Sequence, residues 1–241
     1  MRLVAAELLK IWTAPRTLLG IVLAEIAIVL LGVITTIRSA LQSPALPDQL
    51  ARDVVGVAGT SLLFSALLGV LIATTEYRHG TITLTFLAAP VREKVIAAKS
   101  AAAVIGSGLL AVAALVIAVG IAQVWVGGRD DYHFGGHEFE LMGRLLLTDA
   151  LVAMIGVFIG AALKRQLGAI ILVLGWLFFL EPAAGALVSG LEDYLVGPSI
   201  GGLLGDDSNA TSFGHALPVL AGYLAGLGAV AVALTRRRDI T

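Results

Sequence analysis

Residues 74–99 read TTEYRHGTITLTFLAAPVREKVIAAK and separate two of the most apolar segments of the chain. The stretch carries one polar island from Glu76 to Thr81 and a second at Arg92, Glu93 and Lys94. The segments on either side are long and apolar enough to cross a bilayer, which takes about 20 residues. The stretch therefore predicts a polar turn at a membrane surface, with a membrane-spanning helix before it and another after it.

The composition of the whole chain agrees with a membrane environment. Of its 241 residues, 58% are hydrophobic and 14% are charged, and the mean hydropathy is +0.96. These values lie outside the range of soluble globular domains. The net charge of −1 gives no reason to expect a nucleic-acid partner. The absence of cysteine excludes disulfides and thiolate chemistry.

We predict an all-α integral membrane protein that forms a single transmembrane domain over residues 1–241. The predicted spans lie at about 18–37, 54–75, 100–126, 145–163, 167–189 and 218–235. The first span is expected to stay in the mature protein, because a charged segment precedes it and no small-residue cleavage site follows it.

The distribution of Lys and Arg predicts the orientation, since cationic loops stay on the cytoplasmic side. One side collects Arg2, Lys10, Arg16, Arg78, Arg92, Lys94, Lys99, Lys164, Arg165, Arg236, Arg237 and Arg238. The other side has only Arg38, Arg52, Arg129 and Arg144, together with most of the acids. Both termini and the stretch 74–99 are therefore predicted to be cytoplasmic, with Lys99 at the inner interface.

Two regions outside the spans are also expected to be helical. Residues 1–16 place Val4, Leu8 and Ile11 on one stripe, with Glu7 and Lys10 away from it, which indicates an amphipathic helix in the inner interface. Residues 181–217 alternate short apolar runs with Pro and Gly, so short helices at the outer side of the membrane are expected there.

Three acids fall inside predicted spans: Glu25, Asp149 and Glu181. A carboxylate in the hydrocarbon core of a membrane is energetically costly, so each of these acids is expected to have an interaction partner or a functional role. One hypothesis is a proton or cation relay. The other is that the acids are protonated or hydrogen-bonded within the bundle, with Glu181 facing water where Pro182 bends or ends its helix.

Other sequence patterns give weaker evidence of a functional site or a helix contact. His133 and His137 lie among acids in an outer loop, but Gly135 and Gly136 between them disfavour a shared helix face, so a solvated loop is favoured over a metal site. No P-loop, GxSxG or HExxH motif occurs, so no enzymatic activity is expected of the chain itself. GxxxG spacing at 156–160 and at 222–226 indicates close helix contacts.

Within 74–99, the pattern Glu76, Gly80, Thr81, Leu87, Pro90, Val91, Arg92, Ile96, Lys99 resembles the first intracellular loop of the permeases of ABC type-2 exporters. The six spans, the amphipathic amino-terminal helix, the outer segment after span five and the basic ending RRRD at 236–239 are similar to that family as well.

The resemblance implies a function and partners. In that family the loop forms a cytoplasmic coupling helix between spans two and three that fits a groove on a separate ATP-binding subunit. The coupling role would fall on Glu76, Tyr77, Arg78, His79, Gly80 and Thr81. ATP and Mg²⁺ would bind to the partner, present in two copies, and a second permease copy or a related chain would complete the path. The implied location is the inner membrane of a prokaryote.

The resemblance also implies that spans two and five line the substrate path, so Trp176, Phe178, Phe179 and Glu181 are candidate path residues. No Lys or Arg stands in this path, which favours an apolar or amphipathic substrate such as a drug, an antibiotic or a lipid. Two alternatives stay open. One is a proton-coupled carrier that uses Glu25, Asp149 and Glu181, and the other is a non-transporting anchor or sensor that docks a cytoplasmic protein.

Overall fold

The computed structural model of the protein describes residues 2–13, 15–43, 49–89, 91–130, 132–188, 190–205 and 212–237. The regular secondary structure of these ranges is entirely helical, which confirms the predicted all-α class. In chain order the α-helices are α1 (Arg2–Thr13), α2 (Pro15–Ala40), α3 (Leu50–Ala58), α4 (Ser61–Arg78), α5 (Ile82–Ala88), α6 (Arg92–Val126), α7 (Gly136–Leu163), α8 (Gln166–Gly175), α9 (Glu181–Leu187), α10 (Val196–Leu204) and α11 (Phe213–Arg237).

Six segments of the described chain are long and apolar enough to cross a membrane, as the sequence predicts. They are Thr17–Ala40, Leu50–Arg78, Arg92–Val126, Gly136–Leu163, Gln166–Leu187 and Phe213–Arg236. We number them spans one to six. Pro90, the sequence after Arg237 and the loop at 206–211 lie outside the described residues.

Spans three and four begin earlier than predicted. Span three starts at Arg92 rather than near residue 100, and span four starts at Gly136 rather than near residue 145. The Ala-rich start of α6 has high helix propensity, so its hydrogen bonding continues beyond the apolar run. At the start of α7 the Gly135 N–H donates to Glu138 Oε2 at 2.8 Å, which satisfies a backbone donor that precedes the first helical turn.

Span five contains a π-helical turn, Trp176–Leu180, between α8 and α9. Within it the Glu181 N–H donates to the Trp176 carbonyl, five residues back. Pro182 follows directly and has no N–H to donate. Because proline removes a ladder hydrogen bond, a local change of helix type lets the span continue to Leu187 without breaking.

Glycines bring α4 and α7 into direct backbone contact at the centre of the bundle. A Cβ on Gly69 would lie 2.0 Å from the Ala153 carbonyl oxygen, and one on Gly156 would lie 2.2 Å from the Ala66 carbonyl oxygen. The helix contact predicted at 156–160 is therefore confirmed. The contact predicted at 222–226 is wrong among the described residues of a single chain, because a Cβ on either glycine would meet none of their atoms within 4 Å.

The six spans differ in how much of their surface is buried inside the bundle. In spans two and four, 56% of the most apolar window is buried, whereas spans one, five and six have only 17%, 17% and 11% of theirs buried. Spans two and four therefore form the centre. The outer faces of spans one, five and six are left for lipid or for another chain.

Long-range contacts gather several helix ends at one side of the bundle. Lys10 of α1 contacts Glu76 near the end of α4. The Arg78 guanidinium donates to Gln166 Oε1 at 3.1 Å, and the Arg92 guanidinium donates to the Thr235 carbonyl at 2.5 Å. We call this end the N-terminal side. The cationic loops of the sequence thus lie together, as their charge pattern predicts.

Candidate functional site

The turn after span two ends the helix in a defined way. The Thr81 N–H donates to the Glu76 carbonyl at 3.0 Å, and the Gly80 N–H donates to the Tyr77 carbonyl at 3.4 Å. Gly80 has a φ of +69°, a backbone conformation that glycine adopts readily. This is the hydrogen-bond pattern of a Schellman motif. Gly80 thus ends α4, and the side chain of Thr81 makes no capping hydrogen bond at the start of α5.

Helix α5 follows this turn and presents two different faces. Ile82 is buried against the bundle. Leu84 and Leu87 point outward and are 67% and 78% exposed. Since α5 lies between the polar turn and the charged start of α6, these leucines form an apolar surface on the N-terminal side.

Beneath α5 lies a cluster of two acids and two lysines, which we call the ion cluster: Glu7, Lys10, Glu76 and Lys99. At its centre, the Lys99 ammonium donates to Glu76 Oε2 at 2.5 Å, to Glu7 Oε2 at 2.9 Å and to the Ile72 carbonyl at 3.1 Å. Lys99 is 3% exposed, and both acids are also buried. Every proton of this ammonium therefore has an acceptor.

Lys10 closes the cluster from the solvent side. Its ammonium lies 2.6 Å from Glu7 Oε1 and 2.8 Å from Glu76 Oε1. Burial alone would lower the pKa of Lys10, but the hydrogen bonds and negative charges of Glu7 and Glu76 outweigh it and raise the pKa above its ordinary value. Thr85 of α5 donates its hydroxyl to the same Glu76 oxygen.

The ion cluster is balanced in charge and joins four helices: Glu7 and Lys10 come from α1, Glu76 from α4, Lys99 from α6, and the hydroxyl donor Thr85 from α5. A buried ion pair is not in itself evidence of stability, because desolvation opposes the Coulombic gain. Its geometry does restrict movement, since separating any of these helices would leave a buried charge without its partner.

The structure places the predicted coupling residues in two groups. Glu76 is buried in the ion cluster. Arg78, His79, Gly80 and Thr81 are exposed, and Tyr77 is half-buried with Lys164 Nζ 5.5 Å from its ring centroid. Only the exposed group offers a surface to another molecule.

Sequence reasoning missed three members of the ion cluster. Glu7 was expected on the solvated face of an amphipathic helix, Lys10 with it, and Lys99 at a membrane interface. Glu7 and Lys99 are instead turned into the bundle. The sequence feature that could have indicated the ion cluster is the spacing of Glu7 and Lys10, one helical turn apart on α1. Another acid and another lysine lie at the ends of neighbouring spans.

The three membrane acids have different surroundings. Asp149 accepts hydrogen bonds from Ser61 Oγ at 2.8 Å and Ser65 Oγ at 2.5 Å. Glu25 is buried, with no hydrogen-bond partner for Oε1 within the described residues. The negative charge of Asp149 acts on Glu25, whereas Glu181 binds a separate element. The structure therefore does not join the three acids into one group.

Glu181 holds the first turn of α10. Its carboxylate accepts hydrogen bonds from the Val196 N–H, from the Gly197 N–H at 3.0 Å and from Trp176 Nε1 at 3.3 Å. An anion is favourable at a helix amino terminus, where backbone N–H groups lack partners within the helix. The suggestion that Glu181 faces water is wrong, because only 4% of the residue is exposed.

An apolar cavity of about 300 Å³ lies between spans two, four, five and six and α10. Trp176 and Leu177 of span five line it, opposite Ala66 of span two. Of the predicted path residues, Trp176 thus reaches this cavity, while Phe178 and Phe179 lie exposed on the outer surface. A dry cavity with such walls suits an apolar molecule.

The two outer-loop histidines are separated by the start of α7. His133 precedes the helix, while His137 lies in its first turn, and both are exposed. Across the described ranges, no group of three or more His, Cys, Asp or Glu side chains is placed to hold a metal ion.

No protein-family model matches this chain, and no curated protein matches it.

Proposed function

We propose that the protein is the transmembrane permease subunit of an ATP-driven ABC exporter and that its ATP-binding partner docks on α5. The observation that carries the proposal is the contact chain from Thr85 through Glu76 to Lys99. It links a short, outward-facing helix directly to spans two and three. A movement imposed on α5 would therefore reach the membrane segments as a rigid-body displacement.

The surface of α5 supports docking of a protein. Leu84 and Leu87 are apolar and exposed, and the neighbouring Arg78 and His79 supply polar groups. An apolar centre with a polar rim is typical of protein interfaces. In this proposal Glu76 has a positioning role beneath the interface, while Arg78, His79, Gly80 and Thr81 touch the partner.

The expected substrate is apolar or amphipathic. The apolar cavity lies between spans two and five, the spans that are expected to line the path. The exposed aromatic face of span five, with Phe178 and Phe179, would meet lipid or a second permease copy. In that assembly two ATP-binding subunits would hold ATP and Mg²⁺, while this chain would have no catalytic role.

The proposed setting is the inner membrane of a prokaryote with both termini cytoplasmic. The N-terminal side, with its Lys and Arg residues, would then face the ATPase. Helix α1 would lie in the inner membrane interface and α5 would be the coupling helix. Helix α10 would lie at the outer side, held by Glu181.

The first test is to search the neighbouring genes for a P-loop ATPase and to co-purify that ATPase with this chain. We expect Leu87→Asp to abolish complex formation and ATP-driven transport, because it places a charge in the apolar contact. Leu187→Asp is the matched control, since Leu187 is 83% exposed at the opposite side of the bundle. It should leave the complex intact.

Undiminished binding by Leu87→Asp would overturn docking on α5. A complex that forms normally but moves no substrate would instead favour the anchor or sensor function.

A further inference from the structure

Glu25 lies on the buried face of α2, between Ile21 one turn before it and Val29 one turn after it. Val29, Val33 and Ile37 on the same stripe are fully buried, so helical periodicity turns the Glu25 side chain into the bundle. The residue is 2% exposed, and Oε1 has no hydrogen-bond partner among the described residues. A carboxylate that is buried without a hydrogen-bond partner is stabilised by binding a proton or a cation.

The neighbouring charge is another acid. Asp149 is fully buried, lies within electrostatic range of Glu25 and accepts a hydroxyl hydrogen bond at each of its oxygens. Two carboxylates in a low-dielectric interior do not both stay ionised. The two serine hydroxyls stabilise the ionised form of Asp149, since they donate to it. Oε1 of Glu25 accepts no hydrogen bond within the described residues, so binding a proton is more favourable at Glu25 than at Asp149.

A cavity on the N-terminal side extends toward Glu25. A cavity of about 290 Å³, which we call the N-terminal cavity, is lined by apolar side chains that include Leu18, Ile21 and Leu68 and by polar side chains that include the ion cluster, Arg78 and His79. Glu25 lies four residues beyond Ile21, about 6 Å further along the axis of α2. The cavity thus reaches within about one helical turn of the carboxyl group.

The other charged groups around α2 lie toward the ends of the bundle. On the described parts of the helices packed against α2 they are Glu7 and Lys10 on α1, Arg52 and Asp53 on α3, Glu76 and Arg78 on α4, and Arg92, Glu93, Lys94 and Lys99 on α6. Glu7, Lys10, Glu76 and Lys99 compensate one another in the ion cluster. Asp149 is the group that acts on Glu25.

We propose that Glu25 is an intramembrane proton-binding site that is loaded through the N-terminal cavity. The site needs no ATP-binding partner, so it stands independently of the exporter proposal. Each chain would take one proton at Glu25. Opening the N-terminal cavity to water would allow that proton to exchange.

The test uses dicyclohexylcarbodiimide, which adds to protonated carboxyl groups in apolar surroundings, on the purified full-length protein in lipid vesicles. Peptide mass spectrometry should locate the adduct on Glu25. Labelling should fall about tenfold per pH unit above its midpoint, as the protonated fraction does. Glu25→Gln should remove the adduct.

Glu181 is the internal control, because it is equally buried in a span but its oxygens accept three N–H donors. It should stay unmodified. Equal labelling of Glu25 and Glu181, or no labelling of Glu25 at any pH, would overturn the proposal. Protection of Glu25 by sodium chloride but not choline chloride at fixed pH would also overturn it, in favour of a sodium site. Because the adduct is mapped on the unmutated protein, the test does not depend on the folding of any variant.

Discussion

Lys99 shows how one side chain can connect distant parts of this chain. Its ammonium contacts Glu7, which lies 92 residues away in sequence, and Glu76, which lies 23 residues away. All three side chains are buried. The energetic cost of removing Lys99 is therefore the cost of leaving uncompensated carboxylates in the bundle.

We predict that Lys99→Met destabilises the protein by about 3–5 kcal/mol, the usual range for breaking a buried ion pair. The measurement is the thermal unfolding midpoint of the purified protein in detergent. Arg236→Met is the control, because the Arg236–Glu93 pair is exposed and such pairs contribute about 1 kcal/mol or less.

The double variant Lys99→Met with Glu7→Gln should recover part of the loss, since it removes one cation and one anion together. Equal destabilisation by Lys99→Met and Arg236→Met would contradict the buried cluster.

Helices α4 and α7 form the contact on which the rest of the bundle packs. Their backbones approach closely because Gly69 and Gly156 have no side chain between the two axes. In a membrane, helix association depends on such van der Waals contact, because lipid is as apolar as the helix surfaces. The same GxxxG spacing in α11 leads to no such approach within the chain.

We predict that Gly156→Ala separates α4 from α7 and lowers the unfolding midpoint, because the added Cβ would lie 2.2 Å from the Ala66 carbonyl oxygen. Gly222→Ala makes the same chemical change in open space and should leave the midpoint unchanged. The two variants are compared by thermal unfolding and size-exclusion chromatography. Loss of stability in both variants would show that GxxxG spacing rather than packing decides the effect, and loss in neither would contradict the close contact at Gly156.

The whole molecule is a bundle whose two ends differ in charge. The ends of α4 and α11, the starts of α6 and α8, and helix α1 meet at the N-terminal side through ion pairs and hydrogen bonds. Cationic loops are retained in the cytoplasm during membrane insertion. The N-terminal side should therefore face the cytoplasm.

The chain contains no cysteine, so single-cysteine variants report its orientation without background. We predict that a membrane-impermeant maleimide labels Gly128→Cys in intact cells but labels Thr83→Cys only after permeabilisation. Both positions are exposed, and they lie on opposite sides of the predicted membrane. Labelling of Thr83→Cys in intact cells would reverse the topology and remove the basis for a cytoplasmic partner at α5.

The sequence by itself determined the class of the protein and the number of its spans. Apolar runs of about 20 residues can be counted without knowing what they touch, because the membrane imposes their length. The Schellman turn at Gly80 was also predictable, since a local backbone requirement selects glycine there. These features depend on neighbours along the chain.

Only the tertiary structure decided which polar groups meet. It brought Glu7 to Lys99, attached Glu181 to the start of α10 and left Oε1 of Glu25 without a hydrogen-bond partner within the described residues. It also separated the glycines that touch another helix from those that do not. The physical reason is that helical periodicity specifies a face but not the helix opposite it, so partners that lie far apart in sequence are fixed only when the spans pack.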